Sequence, residues 1–150
     1  MMMERSNRSL SPIVLVEDDD NDLVLLNRAF SQARVEHPLL VTHNGEDAIR
    51  LLSSKSNSSP DTRIWPPCLL VSDLKMPKVD GFELLTWLQT QPQFRRVPKL
   101  MLSSSVLEQD LKKSLELGAT AYFVKPNNYK ALVELVRKWK ELYLETSDPI

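Results

Sequence analysis

Asp73 closes the run Cys68-Leu69-Leu70-Val71-Ser72, which lies between Pro66-Pro67 and Pro77. Apolar side chains without polar alternation read as a strand buried on both faces, and a carboxylate at the carboxyl end of such a strand sits where open α/β sheets hold ligands. A carboxylate there can act as a nucleophile toward phosphorus. Three other strand-like runs end in complementary groups: Glu17-Asp18 after residues 12–16, Ser103 after 100–102, and Lys125 after 121–124. Phosphoryl transfer to a carboxylate needs this set. The acids Glu17, Asp18 and Asp73 suit a hard divalent cation, Mg²⁺ with Mn²⁺ as substitute. A hydroxyl (Ser103) and a compact ammonium (Lys125) complete the neutralisation of the phosphoryl oxygens. Pro126 offers a cis peptide that would aim Lys125 inward.

The elements that must position these groups alternate along the chain. Strands are expected at 12–16, 39–43, 68–73, 100–103 and 121–124. A helix begins within the acidic run 18–22, with Leu23, Leu26 and Phe30 at helical spacing and Val24 and Leu25 widening the stripe. A second follows Asn44-Gly45 and carries Ala48, Leu51 and Leu52; residues 53–67, rich in Ser and Pro, read as a long surface loop. A third follows Asp80-Gly81 with Phe82, Leu85 and Leu88 inward. A fourth spans 106–117 and closes at Gly118, and a fifth spans 128–144 with Leu132, Leu135, Val136, Trp139 and Tyr143 as its apolar face. Strict alternation of strands and helices implies a parallel sheet covered on both faces. Right-handed crossovers then bring the carboxyl ends of its strands to one edge.

Composition narrows the alternatives. A chain of 150 residues, 42% hydrophobic and 26% charged, is sized for one soluble domain. Its net charge of −1 disfavours nucleic-acid and membrane-surface binding. No run reaches the roughly 18 apolar residues of a membrane span, and residues 1–11 lack the apolar core of a signal peptide. The single cysteine, Cys68, reads as a small core residue and fits a reducing, cytoplasmic setting. His37 and His43 have no partners at metal spacing. We expect a flexible segment at 1–10, the domain at 11–145 and a short tail at 146–150.

The acidic run after the first strand admits other readings. Asp18-Asp19-Asp20 has the spacing of a dehalogenase-type phosphatase nucleophile, but that leaves Asp73 unexplained. A calcium loop needs glycine and glutamate where Leu23 and Ala29 stand. Helix capping and a solvated turn account for Asp19, Asp20 and Asp22.

Five blocks, taken together, resemble the receiver domain of two-component response regulators: Val14-Leu15-Val16-Glu17-Asp18, the segment Val71-Ser72-Asp73-Leu74-Lys75-Met76-Pro77-Lys78-Val79-Asp80-Gly81, Leu102-Ser103-Ser104, Gly118-Ala119, and Tyr122-Phe123-Val124-Lys125-Pro126. The likeness spans residues 10–144. It implies a flavodoxin-like, doubly wound five-stranded sheet in the order 2-1-3-4-5 with five helices. It also implies phosphorylation of Asp73 by a histidine kinase, with the metal held by Asp18, Asp73 and the Lys75 carbonyl and Glu17 acting largely through water. The protein would be a phosphoacceptor and not an enzyme, limited to self-phosphorylation from a donor and slow autodephosphorylation.

Within the family the chain is most similar to stand-alone regulators that partner bacterial phytochrome kinases. The resemblance makes Tyr122 an aromatic switch coupled to the hydroxyl of Ser103, with Ser104 beside it at the phosphoryl group. It makes Lys75 and Ser105 residues that tune phosphoryl lifetime. Signal would leave by the fourth helix, fifth strand and fifth helix, toward a downstream protein or a second copy in a homodimer. The alternative is a receiver-like docking module that works without phosphate. Serine at 103 replaces the family's commoner threonine and keeps the hydroxyl; Ser72 replaces a usual apolar residue and has no functional reading from sequence.

Overall fold

The runs 13–16, 69–72 and 99–103 carry no polar alternation because they form the middle of a sheet, with every residue buried. The structure, a computed structural model, describes residues 10–57 and 64–145. Five parallel strands, β1 (Ile13–Val16), β2 (Leu39–Thr42), β3 (Leu69–Ser72), β4 (Lys99–Ser103) and β5 (Ala121–Val124), lie in the order β2-β1-β3-β4-β5. Edge strands β2 and β5 are only partly buried, as expected where one side lacks a neighbour. Helices α1 (Asp20–Gln32), α2 (Gly45–Asn57), α3 (Gly81–Gln89), α4 (Glu108–Glu116) and α5 (Tyr129–Trp139) alternate with them. This is the doubly wound, flavodoxin-like arrangement expected.

Alternate side chains of each strand feed opposite core layers. Ile13, Leu15, Leu69, Val71, Leu100 and Leu102 meet α1 and α5 through Leu26, Phe30, Leu132, Val136 and Trp139. Val14, Val16 and Leu70 meet α2 and α3 through Ala48, Leu52, Leu84 and Leu88. A smaller cluster of Leu74, Leu85, Met101 and Ala119 lies against Phe82, Leu117 and Tyr122. Trp139 is fully buried, with ring centroids 6.1 Å from Phe30 and 5.6 Å from Phe123, and so locks α5 to α1 and β5.

Several element boundaries differ from expectation. Helix α2 runs on to Asn57 through Ser53-Ser54-Lys55-Ser56. The reason is tertiary: the Trp65 indole donates to Ser56 Oγ at 3.0 Å and packs edge-on to Phe94, which outweighs the weak helix preference of serine. The middle of the expected loop lies outside the described residues, as do most of the expected N-terminal segment and the tail. Val24 and Leu25 are exposed, so α1 buries a narrower stripe of Leu23, Leu26, Ala29 and Phe30. Helix α4 starts at Glu108, after an exposed Val106 and an N-cap Leu107 that supplies no side-chain bond. Regular α5 ends at Trp139 and widens into a looser turn over Lys140–Leu144.

Candidate functional site

Ladder hydrogen bonds run one residue past the strands and fix the backbone at the carboxyl edge. Glu17 N–H donates to Thr42 O at 3.0 Å, Asp73 N–H to Val16 O at 2.9 Å, and Lys125 N–H to Ser103 O at 2.8 Å. The Asp73 carbonyl accepts the Ser72 hydroxyl at 2.8 Å, so the unexplained Ser72 is a buried anchor for the acid beside it. Leu74 N–H donates to Asp73 Oδ1 at 2.6 Å, and Gly81 N–H closes the loop onto Leu74 O at 2.8 Å. The loop then enters α3 through a full capping box between Asp80 and Glu83.

Charges converge on this edge. Lys125 Nζ lies 3.2 Å from Asp73 Oδ2, 3.0 Å from Glu17 Oε1 and 2.7 Å from Asp22 Oδ2. Burial alone would lower the lysine's pKa; hydrogen bonds and charge from Asp22, Asp73 and Glu17 outweigh it and hold the ammonium above its ordinary value. Asp22 is therefore more than a solvated turn residue. It sits in the first turn of α1, where the Asp19 N-cap accepts its backbone N–H and sets its direction. Glu17 is almost fully buried, and its pKa is raised to about 7 by that burial and then by the charge of Asp73. Asp18 is exposed at the mouth.

Oxygens of Glu17, Asp18 and Asp73 all lie within 4.8 Å of one another. Three hard oxygen donors at that spacing fit a small divalent cation, whose charge would favour the ionised form of Glu17. The lysine reaches the acids without the expected cis bond at Pro126. Among the described residues the cis X-Pro bond is Trp65–Pro66, and backbone hydrogen bonding of Lys125 to Ser103 already points its side chain at Asp73.

The remaining expected residues form a second group one loop away. Ser103 Oγ is buried and accepts Ser105 N–H at 3.1 Å; Tyr122 Oη donates to Ser105 O at 2.9 Å. Ser104 is exposed in the same loop. Lys75 and Ser105 meet at a residue that sequence reasoning missed, Asp110 of α4. Its only sequence signal is an acid in a helical first turn, which helix capping explains equally well.

The model of the response regulator receiver domain matches residues 13–137. The chain belongs to the response regulator receiver family. The response regulator Rcp1 of Synechocystis sp. is 31% identical over 134 residues, 89% of each chain. The crystal structure of the phosphorylated cyanobacterial phytochrome response regulator RcpA is 30% identical with a TM-score of 0.80, covering 93% of this chain and 97% of that one. The Mn²⁺-bound form of Rcp1 is 29% identical with a TM-score of 0.77, covering 93% and 99%. This receiver is thus similar in sequence and fold to regulators of phytochrome systems. No described helix is long and apolar enough to cross a membrane.

Proposed function

We propose that the protein is a stand-alone response regulator whose Asp73 accepts a phosphoryl group from a phosphohistidine of a kinase, one of phytochrome type. The observation that carries this reading is the meeting of Asp73 Oδ2 with Lys125 Nζ at 3.2 Å, beside the oxygens of Glu17 and Asp18. An Asp73 carboxylate oxygen attacks phosphorus, the P–N bond breaks, and the departing imidazole nitrogen takes up a proton. Water later cleaves the acyl phosphate, returning the carboxylate and inorganic phosphate. Lys125 balances charge on the acceptor, and Ser103 offers its hydroxyl to a phosphoryl oxygen.

Glu17, Asp18, Asp73 and the Lys75 carbonyl would hold Mg²⁺, or Mn²⁺ in its place, whose charge would offset the crowding of anions when bound. The phytochrome-named relatives support a photoreceptor kinase as donor, and the Mn²⁺-bound relative supports the metal. The reading includes a cytoplasmic protein and an output surface on α4, β5 and α5 that engages a second copy or a downstream protein.

Intact-mass measurement after incubation with acetyl phosphate and Mg²⁺ tests the acceptor. One hydroxylamine-labile phosphoryl group should appear on the wild type and none on Asp73→Ala. An unmodified wild type would favour a phosphate-independent docking module, and undiminished labelling of Asp73→Ala would move the acceptor elsewhere.

A further inference from the structure

Asp110 is a carboxylate that is only 7% exposed, on the first turn of a helix that otherwise faces water on one side. Its Oδ2 accepts the Ser105 hydroxyl at 2.6 Å and lies 3.8 Å from Lys75 Nζ, which reaches over from the loop after Asp73. Ser105 in turn spends every polar group it has. Its N–H donates to Ser103 Oγ, its hydroxyl donates to Asp110 while accepting Leu107 N–H at 3.2 Å, and its carbonyl accepts Tyr122 Oη. Ser105 is thus a junction between the Ser103 hydroxyl, the Tyr122 ring and the start of α4, and Asp110 is what fastens it.

A plainer reading makes Asp110 an acid at a helix N-terminus, useful because Leu107 gives no side-chain cap. That role is local and works from the surface. It accounts neither for the burial of Asp110 nor for the Ser105 hydroxyl bonded to it; Lys75, whose side chain stays 67% exposed, adds a solvent-screened charge at 3.8 Å from the next loop. A hydrogen bond of 2.6 Å to a carboxylate belongs to the strong, charge-assisted class and fixes geometry.

We propose that Asp110 is a positioning residue for the phosphoacceptor site. It holds the loop after Asp73, through Lys75, and the loop after Ser103, through Ser105, in one fixed relation. The orientation of the Ser103 hydroxyl, the position of Tyr122 and the seat of α4 are therefore set together. Asp110 touches neither the phosphoryl group nor the metal ligand oxygens. The inference rests on the proposed acceptor role of Asp73 and adds how that site is kept in register.

The test is the rate of phosphoryl uptake from acetyl phosphate, with acetate leaving as the new P–O bond forms on Asp73, measured beside Mg²⁺ affinity and melting temperature. Asp110→Asn keeps an acceptor for Ser105 but loses the charge that holds Lys75. It should slow uptake about three- to tenfold at saturating Mg²⁺, the scale of one lost or weakened hydrogen bond. Lys75→Met should slow uptake similarly, and the double variant should be no slower than the slower single one, because both remove one link. Ser105→Ala severs the other arm without changing charge and serves if Asp110→Asn fails to fold.

Wild-type uptake rates in Asp110→Asn with only a lowered melting temperature would overturn the inference, leaving a helix cap. Additive effects of Lys75→Met and Asp110→Asn would overturn it as well. A wild type that takes no phosphoryl group would instead remove the acceptor reading, and the inference with it.

Discussion

Among the described acids, Glu17 stands in the environment least suited to a charge. It is buried beside Asp73, and its pKa rises from 4.5 to about 7. Between those values the folded chain holds a proton that the unfolded chain has released, so folding binds protons and stability falls as pH rises through the window. In the presence of EDTA, the melting temperature of wild type relative to Glu17→Gln should therefore drop from about pH 4.5 to about pH 7. Saturating Mg²⁺ should cancel much of that drop, because a cation favours the ionised carboxylate, and Mg²⁺ affinity should weaken as pH falls below about 7. A wild-type curve parallel to that of Glu17→Gln at every pH would show that Glu17 does not titrate in this range. Asp73→Asn removes one of the crowded charges next to Glu17. It should raise the metal-free melting temperature and shrink the increment that Mg²⁺ gives wild type by mass action. Melting curves indifferent to both changes would refute an anionic pocket that awaits a cation.

The elements were legible from sequence in proportion to how local their causes are. The runs Val14-Leu15-Val16 and Leu69-Leu70-Val71 declared central strands because burial on both faces leaves no room for alternation. Strand ends then located Glu17, Asp18, Asp73, Ser103 and Lys125. What escaped depended on contacts between distant segments. Ser53–Asn57 looks like loop until Trp65 packs on Ser56, and Asp22 looks like a turn acid until Lys125 arrives from 103 residues away. Asp110 hides in the same way, since nothing in its neighbours signals Lys75. Gly81 shows the reverse, a position that the sequence marks only as preceding a helix and that the structure makes critical. A Cβ there would stand 2.5 Å from Asp73 O and 2.8 Å from Met101 Cε. A methionine tip can move, whereas the Asp73 carbonyl is held by Ser72 and its backbone belongs to the site. Gly81→Ala should cost about 1–3 kcal/mol in denaturant unfolding, as overpacking does, and should reduce phosphoryl uptake beyond the loss of folded protein. Full uptake by the folded fraction would show that the loop absorbs a methyl group without moving Asp73.

For the whole molecule the question is how a change at one edge of the sheet is felt on its flank. Ser103 and Tyr122 both bond to Ser105, which also contacts α4 through Asp110. On the proposed function, a phosphoryl oxygen that drew the Ser103 hydroxyl toward Asp73 would pull on an arrangement that includes the start of α4. A preference of about 3 kcal/mol for one of two packings shifts their ratio roughly a hundredfold, enough to expose or remodel a binding face. Leu107, Leu111 and Leu115 recur every four residues along α4 and are exposed, as are Val106 and Val124 nearby. Such a stripe contributes little to this fold, and its substitution should leave the acceptor untouched. Leu111→Glu should take up phosphoryl groups at the wild-type rate and melt within a few degrees of wild type. It should lose whatever change in self-association or partner binding phosphorylation produces, read by light scattering of the protein with and without Mg²⁺ and beryllium fluoride as the phosphoryl mimic, and by pull-down once a partner is in hand. If association of Leu111→Glu responds to the mimic as wild type does, the output leaves by another face.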